Sequence, residues 1–149
     1  MKKQHLIYLI GGVVITLLYF LFRIDLFESL FYAQGYSDDM YNTKLYTIIP
    51  AVSIVTTWGC AAIYYYVINS VRFDRWYHWL AVLAVVVVLT PIMCYLINIR
   101  VFNDLGKSYP AEALIFEFVN MLWTALLFIV ASFSMRWWSS NCRHTPIPQ

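Results

Sequence analysis

Long apolar runs dominate the chain, and four of them are long enough to cross a lipid bilayer. They cover residues 6–22, 48–70, 78–98 and 113–134. The hydrocarbon core is about 30 Å thick and a helix rises about 1.5 Å per residue, so a spanning helix needs about 20 mostly apolar residues. The pattern predicts an all-α, polytopic membrane protein with four transmembrane helices in an antiparallel bundle.

The connections between the runs differ in length. Residues 71–77 form so tight a turn that the second and third helices must be antiparallel neighbours. The first loop has about 25 residues, and its opening stretch, 24–31, places apolar residues at helical spacing opposite Asp25 and Glu28. We expect a short helix lying in the membrane interface there. Residues 1–149 are interpreted as one four-helix domain that ends in a short cytoplasmic tail, 135–149.

Basic residues are biased to one side of the predicted membrane. The N-terminus, the 71–77 turn and the tail carry six Lys and Arg residues, whereas the other two loops carry four. Because cytoplasmic loops are richer in Lys and Arg, both termini are predicted to be cytoplasmic. We expect an integral protein of the plasma or inner membrane, with the lipid bilayer as its surroundings.

Composition strengthens the membrane interpretation. Hydrophobic residues make up 62% of the chain and charged residues 12%, against about 45–50% and about 25% in soluble proteins. The formal net charge is only +2, and the sequence has neither a basic run nor a glycine-rich phosphate loop. We therefore expect no nucleic-acid partner and no nucleotide partner.

Pro91 lies inside the third apolar run. Proline has no amide hydrogen and cannot donate the helical hydrogen bond to the carbonyl of Val87. We predict a helix kink between these two residues.

Polar residues within the runs indicate a cluster inside the bundle. On the fourth helix Glu117, Asn120 and Thr124 are spaced i, i+3 and i+7, so they share one face. Polar groups in lipid associate with one another, and the other helices bring further polar residues to about the same depth. The remaining candidates for this cluster are Ser53, Thr56, Thr57, Tyr19 and Asn98.

Glu117 is the one carboxylate within the four runs. It lies about four residues inside its predicted span, or about 6 Å below the boundary. A carboxylate in a membrane is a candidate proton carrier or cation ligand, but one at this depth can also join helices by pairing with other groups. Its candidate charge partners are Arg23, Arg100 and Glu112.

Catalytic patterns are sparse. The three cysteines, Cys60, Cys94 and Cys142, form no C-x-x-C pair, and no serine has the sequence context of a nucleophile elbow. We expect no enzyme activity, no cofactor and no metal site.

Two functions remain. The first is a non-catalytic integral-membrane subunit or interaction protein that docks to membrane partners through helix faces and its outer loop. Such a protein would be a subunit of a secretion or envelope assembly, or an immunity-type protein. The alternative is a homo-oligomeric channel or small transporter that uses the Glu117 polar stripe. The apolar stretch 81–88 is unfavourable for a permanent aqueous pore.

Overall fold

The computed structural model describes residues 3–69, 71–73 and 75–139. Most of the predicted tail, residues 140–149, lies outside the described residues. Within the described ranges every regular element is helical and no strand occurs. The six α-helices in chain order are α1 (Lys3–Leu21), α2 (Arg23–Glu28), α3 (Tyr36–Asn42), α4 (Leu45–Ala62), α5 (Trp76–Asp104) and α6 (Pro110–Met135).

Four helical segments among the described residues are long and apolar enough to cross a membrane, in agreement with the predicted number of spans. They are Lys3–Leu21, Leu45–Ile68, Trp76–Asp104 and Pro110–Trp138. The second continues α4 through a π-helical segment, Ile63–Ile68, and the fourth continues α6 through a short 3-10 turn, Arg136–Trp138. The all-α, multi-pass membrane class is therefore confirmed.

The helix α5 is longer than predicted at both ends, with 29 residues in place of the 78–98 run. It extends through polar residues up to Asp104, because a helix does not need an apolar side chain once it leaves lipid. Gly106 follows with φ at 69°, a left-handed conformation that suits glycine and ends the helix. Pro91 lies within the continuous helix, and its kink stays a prediction.

The first loop contains two short helices. The helix α2 covers part of the stretch 24–31, and its position in the membrane interface stays a prediction. A helix start is also expected at Ser37, after Gly35, and the structure has it as the separate helix α3 and not as the beginning of α4. Gly35, with φ at 83°, precedes α3, and Lys44, with φ at 61°, separates α3 from α4. The loop therefore folds back on the long helices instead of running directly into α4.

The helix α6 contacts each of the other three long helices, and α4 also contacts α5. Two apolar clusters fill these contacts. The one near α2 and α3 includes Phe27, Tyr36, Tyr46, Phe102 and Phe116. The other includes Ala61, Tyr64, Tyr65, Trp79 and Phe128.

The outward faces of the long helices are apolar and exposed. Leu21, Val55, Val67, Leu96 and Phe118 are between 60% and 76% exposed. Such surfaces would be unfavourable in water and suit lipid.

The helix α1 approaches α6 closely because Gly12 has no side chain. A Cβ atom at Gly12 would overlap the Ser134 hydroxyl and lie 2.8 Å from the Ser134 Cβ. Trp58 Nε1 on α4 donates a hydrogen bond to Thr16 Oγ1 on α1 over 3.1 Å. A small residue and a hydrogen bond, both common devices of membrane helix contacts, thus hold α1 in place.

Candidate functional site

The polar stripe of α6 is buried. Glu117 is 4% exposed, and Asn120 and Thr124 are fully buried. All three lie on the same face because their spacing follows the helical repeat. The stripe faces the other long helices and not the exposed surface.

Asn120 joins α6 to α4. The hydroxyl of Ser53 on α4 donates to Asn120 Oδ1 over 3.0 Å, and Asn120 Nδ2 donates to Glu117 Oε2 over 2.8 Å. The structure therefore places three of the predicted site residues, Ser53, Asn120 and Glu117, in one hydrogen-bonded chain. We call this chain the polar clasp.

Asn98 on α5 extends the polar environment towards the first loop. Its Nδ2 donates to the Tyr36 hydroxyl over 2.7 Å, and its side chain also interacts with Glu117. Tyr36 is 1% exposed, and burial raises the pKa of its hydroxyl above the usual range, so the group stays neutral. Sequence reasoning missed Tyr36 because a loop residue has no helical spacing that relates it to Asn98.

Four buried oxygens around the stripe have no hydrogen-bond partner among the described residues: Tyr19 Oη, Asn98 Oδ1, Glu117 Oε1 and Thr124 Oγ1. Asn98 Oδ1 is an amide oxygen, which can only accept a hydrogen bond. Glu117 Oε1 is likewise only an acceptor when the carboxyl group is ionised. We call these two atoms the open acceptors. Buried polar atoms are nearly always partnered in native proteins. At the open acceptors, hydrogen bonding within the described residues is therefore incomplete.

The remaining predicted hydroxyls lie at other helix contacts. Thr90 on α5 donates to Thr56 Oγ1 on α4 over 3.0 Å, which joins those two helices. Thr57 donates to the Ser53 carbonyl over 2.7 Å, within its own helix. Thr56 and Thr57 thus stabilise α4 and its contact with α5, and each reaches the polar clasp only through the backbone carbonyl of Ser53.

The two predicted arginine partners bind elsewhere. Arg23 donates to the Phe20 carbonyl and to Thr47 Oγ1, at 2.8 Å and 3.0 Å. Arg100 lies 3.9 Å from Asp104 with 82% of its side chain exposed. Because these groups face the first loop and the outer surface of α5, neither forms an ion pair with Glu117 in the described structure. Glu112 lies in the first turn of α6, where a negative charge suits the helix dipole.

Glu117 also lines a cleft of about 230 Å³ between α5 and α6. Apart from the Glu117 carboxyl group and the Tyr95 hydroxyl, the lining side chains are apolar. The full lining consists of Val88, Pro91, Ile92, Tyr95, Leu114, Glu117, Phe118 and Met121.

A second polar contact joins α3 to the connection between α5 and α6. Lys107 Nζ, between α5 and α6, lies 2.6 Å and 2.7 Å from the two carboxylate oxygens of Asp39 on α3, and the Tyr109 hydroxyl donates to Asp39 over 3.0 Å. Lys107 lowers the pKa of Asp39, and Asp39 raises the pKa of Lys107 and of Tyr109. The sequence did not indicate this bridge, because 68 residues separate Asp39 from Lys107.

The arrangement joins α4, α5 and α6 through buried polar side chains. Among residues 3–69, 71–73 and 75–139, no group of three His, Cys, Asp or Glu side chains is placed to hold a metal ion. Comparisons of the chain with protein-family models, with curated proteins and with solved structures found no match.

Proposed function

We propose that the protein is a non-catalytic integral-membrane subunit or interaction protein that docks to membrane partners through helix faces and its first loop. In this proposal the four long helices cross the plasma or inner membrane as an antiparallel bundle. The short helix α2 lies in the outer interface, and both termini are cytoplasmic.

One observation carries the proposal: polar side chains of the long helices are hydrogen-bonded across helix contacts. The polar clasp joins α4 to α6, the Thr90–Thr56 bond joins α5 to α4, and Trp79 Nε1 on α5 donates to Ser132 Oγ on α6 over 3.2 Å. Side chains that conduct an ion must face a continuous polar path. Side chains that are hydrogen-bonded from one helix to another instead favour a rigid bundle that presents its outer surface to partners.

Aromatic contacts between the start of α1 and the residues just after α6 support the proposal that both termini lie on one side of the membrane. The His5 ring near the start of α1 stacks on the Trp137 ring just after α6, with 5.0 Å between centroids, and Tyr8 stacks on the same indole at 4.8 Å. The start of the first span and the end of the fourth therefore lie at one end of the molecule. Four spans require this arrangement, and aromatic groups of this kind favour the membrane interface.

The first loop offers the surface for partner contact. Tyr41 and Tyr32 are 66% and 57% exposed, although neighbouring residues of α3 such as Met40 are fully buried. Exposed aromatic side chains on a well-anchored segment are favourable contact residues, because little conformational entropy is lost when they bind. We propose that these two tyrosines contact the partner.

Extraction from native membranes in a mild detergent tests the proposal. We expect the intact particle to contain a different membrane protein in fixed stoichiometry, and its recovery to fall when Tyr32 and Tyr41 are both changed to Ala. The control is Tyr77→Ala, which removes an exposed tyrosine side chain at the opposite end. A particle made only of this chain, in wild type and variants alike, would contradict the proposal.

A homo-oligomeric channel or small transporter is the second candidate, and the open acceptor at Glu117 Oε1 is the observation that favours it. Proton and cation flux in reconstituted vesicles distinguishes the two. A specific flux that Glu117→Gln abolishes and Glu112→Gln preserves would support the channel or transporter. We expect that vesicles with the wild type or with either variant conduct no more than empty vesicles do.

A further inference from the structure

A polar cleft lies where α1 ends and α4 begins. Its volume of about 380 Å³ is within the range of small-molecule sites, about 300–1,000 Å³. The charged residues that line it are two cations, Arg23 and Lys44, and no described carboxylate lines it. Asn42 and Thr47 add polar side chains to the lining. The cleft therefore offers the charge and the hydrogen-bond donors that an anion requires.

Neither cation has an acidic partner among the described residues. Arg23 donates to neutral oxygens, a backbone carbonyl and the Thr47 hydroxyl, and Lys44 forms no ion pair. Asp25 and Glu28 are the carboxylates closest to Arg23 along the chain, and neither lines the cleft or pairs with it. Arg23 is partly exposed and Lys44 is exposed, so a ligand can reach both charges.

Hydrogen bonds hold Arg23 and the backbone of Lys44 at the start of α4. The Arg23 guanidinium donates to the Thr47 hydroxyl, in the first turn of α4, over 3.0 Å and 3.2 Å. Lys44 directly precedes α4, and its carbonyl accepts from the amides of Thr47 and Ile48. The positive end of the α4 dipole adds to the charge of the two side chains. The positive potential of the cleft is thus built into the fold.

Exposed apolar side chains adjoin the cleft. Leu21 and Phe22, directly before Arg23, are 68% and 54% exposed, and Ile48, directly after Thr47, is 40% exposed. The first candidate span ends at Leu21 and the second begins at Leu45. The cleft therefore lies at the membrane surface whichever side of the membrane it faces, and a ligand with a negative headgroup and acyl chains would contact both kinds of surface.

We propose that this cleft binds a phosphate group of net negative charge, held by Arg23 and Lys44, with the headgroup of an anionic phospholipid as its source. Guanidinium and ammonium groups both bind phosphate oxygens through charged hydrogen bonds. The choice of a lipid as the source rests on the membrane placement in the proposed function. The site itself does not depend on a protein partner, so it is tested on the purified chain alone.

Native mass spectrometry of the purified full chain in a neutral detergent tests the site. Phosphatidylglycerol and phosphatidylcholine with the same acyl chains are titrated separately. We expect one phosphatidylglycerol molecule to bind at least about tenfold more tightly than phosphatidylcholine, whose choline adds a positive charge beside the two cations. Added salt should reduce this preference, because the two side chains are accessible to solvent.

Inorganic phosphate distinguishes the two sources of the group. Added at the same concentration as phosphatidylglycerol, it should leave the lipid bound, because it has no acyl chains to contact the apolar surface beside the cleft. Displacement of the lipid by inorganic phosphate would retain the phosphate site and assign it to the free ion.

Three variants test the two cations. Lys44→Gln removes one charge and breaks no ion pair, and we expect about fivefold weaker binding of phosphatidylglycerol. Arg23→Gln should have a similar or larger effect. Because it also loses the bond to Thr47 and so risks misfolding, the charge reversal Lys44→Glu is the second test and should abolish the preference. Arg100→Gln, which removes an exposed cation outside the cleft, should bind as the wild type does.

Several outcomes would overturn the proposal. Equal affinity of the wild type for the two lipids, with no binding of inorganic phosphate, would exclude a phosphate site and leave the two cations for carboxylates of a protein partner. An unchanged preference in Lys44→Glu would place the bound lipid elsewhere on the surface. A loss in Arg100→Gln as large as that in Lys44→Gln would show that binding follows the overall charge of the chain and not this cleft.

Discussion

The Ser53 hydroxyl on α4 donates to Asn120 Oδ1 on α6 over 3.0 Å, and both residues are fully buried. Asn120 also donates to Glu117, so one amide accepts a hydrogen bond across the contact with α4 and donates another within α6. In lipid, where helices gain little from apolar contact with one another, such bonds contribute to the specificity of packing.

Removal of the Asn120 amide should weaken the fold. Asn120→Ala leaves Ser53 Oγ and Glu117 Oε2 without their partner, so we expect the free energy of unfolding to fall by about 1–2 kcal/mol. Thermal unfolding in detergent measures the change. Asn103→Ala alters an exposed asparagine of α5 and serves as the control. Equal stability of both variants would argue against a contribution from the polar clasp.

The two adjacent glycines of α1 should respond differently to an added methyl group. Gly12→Ala overlaps Ser134 and must push α1 away from α6, at a cost of about 1–3 kcal/mol. Gly11→Ala meets no described heavy atom within 4 Å and should be neutral or stabilising, since alanine favours helix. The measurement is thermal unfolding, with Ser134→Gly in the Gly12→Ala background expected to restore stability. Loss of stability in both single variants would contradict the close approach at Gly12.

The bridge between Asp39 and Lys107 should make stability depend on pH at both extremes. Asp39 has a lowered pKa in the folded protein, so its contribution is present above the usual pKa of 3.8 and is lost as the pH falls through the folded value. Lys107 has a raised pKa, so its contribution is present below 10.5 and is lost as the pH rises through the folded value.

Unfolding temperatures measured across this range test the bridge. Asp39→Asn should flatten the acid limb of the curve, whereas Asp38→Asn, a change of the exposed neighbouring carboxylate, should leave the limb in place. An unchanged acid limb in Asp39→Asn would assign the pH dependence to other groups.

Glutamine and alanine at position 117 should have opposite effects on stability. Glutamine retains an oxygen that accepts from Asn120 and adds an amide that can donate to Asn98 Oδ1. We therefore expect Glu117→Gln to be at least as stable as the wild type. Glu117→Ala leaves the Asn120 amide without an acceptor and should lose about 1–3 kcal/mol. Thermal unfolding in the same detergent compares them, and a Gln variant as unstable as the Ala variant would show that the carboxylate charge itself is required.

The sequence by itself determined the four long helices and the shared face of Glu117, Asn120 and Thr124. Both follow from local properties: an apolar run of sufficient length must be helical in lipid, and the helical repeat places residues three and seven positions apart on one side. The association of Ser53 with Asn120 could also be predicted from the sequence, because two polar groups at similar depth in lipid tend to associate.

Only the tertiary structure decided which partners the other polar groups have. The contact of Tyr36 with Asn98 and that of Asp39 with Lys107 depend on the first loop folding back as α3. Arg23 and Arg100 carried the right charge for Glu117 but face the loop and the outer surface. The chemistry of a side chain determines which groups it can bind. The path of the chain between distant segments determines which of those groups come within bonding distance.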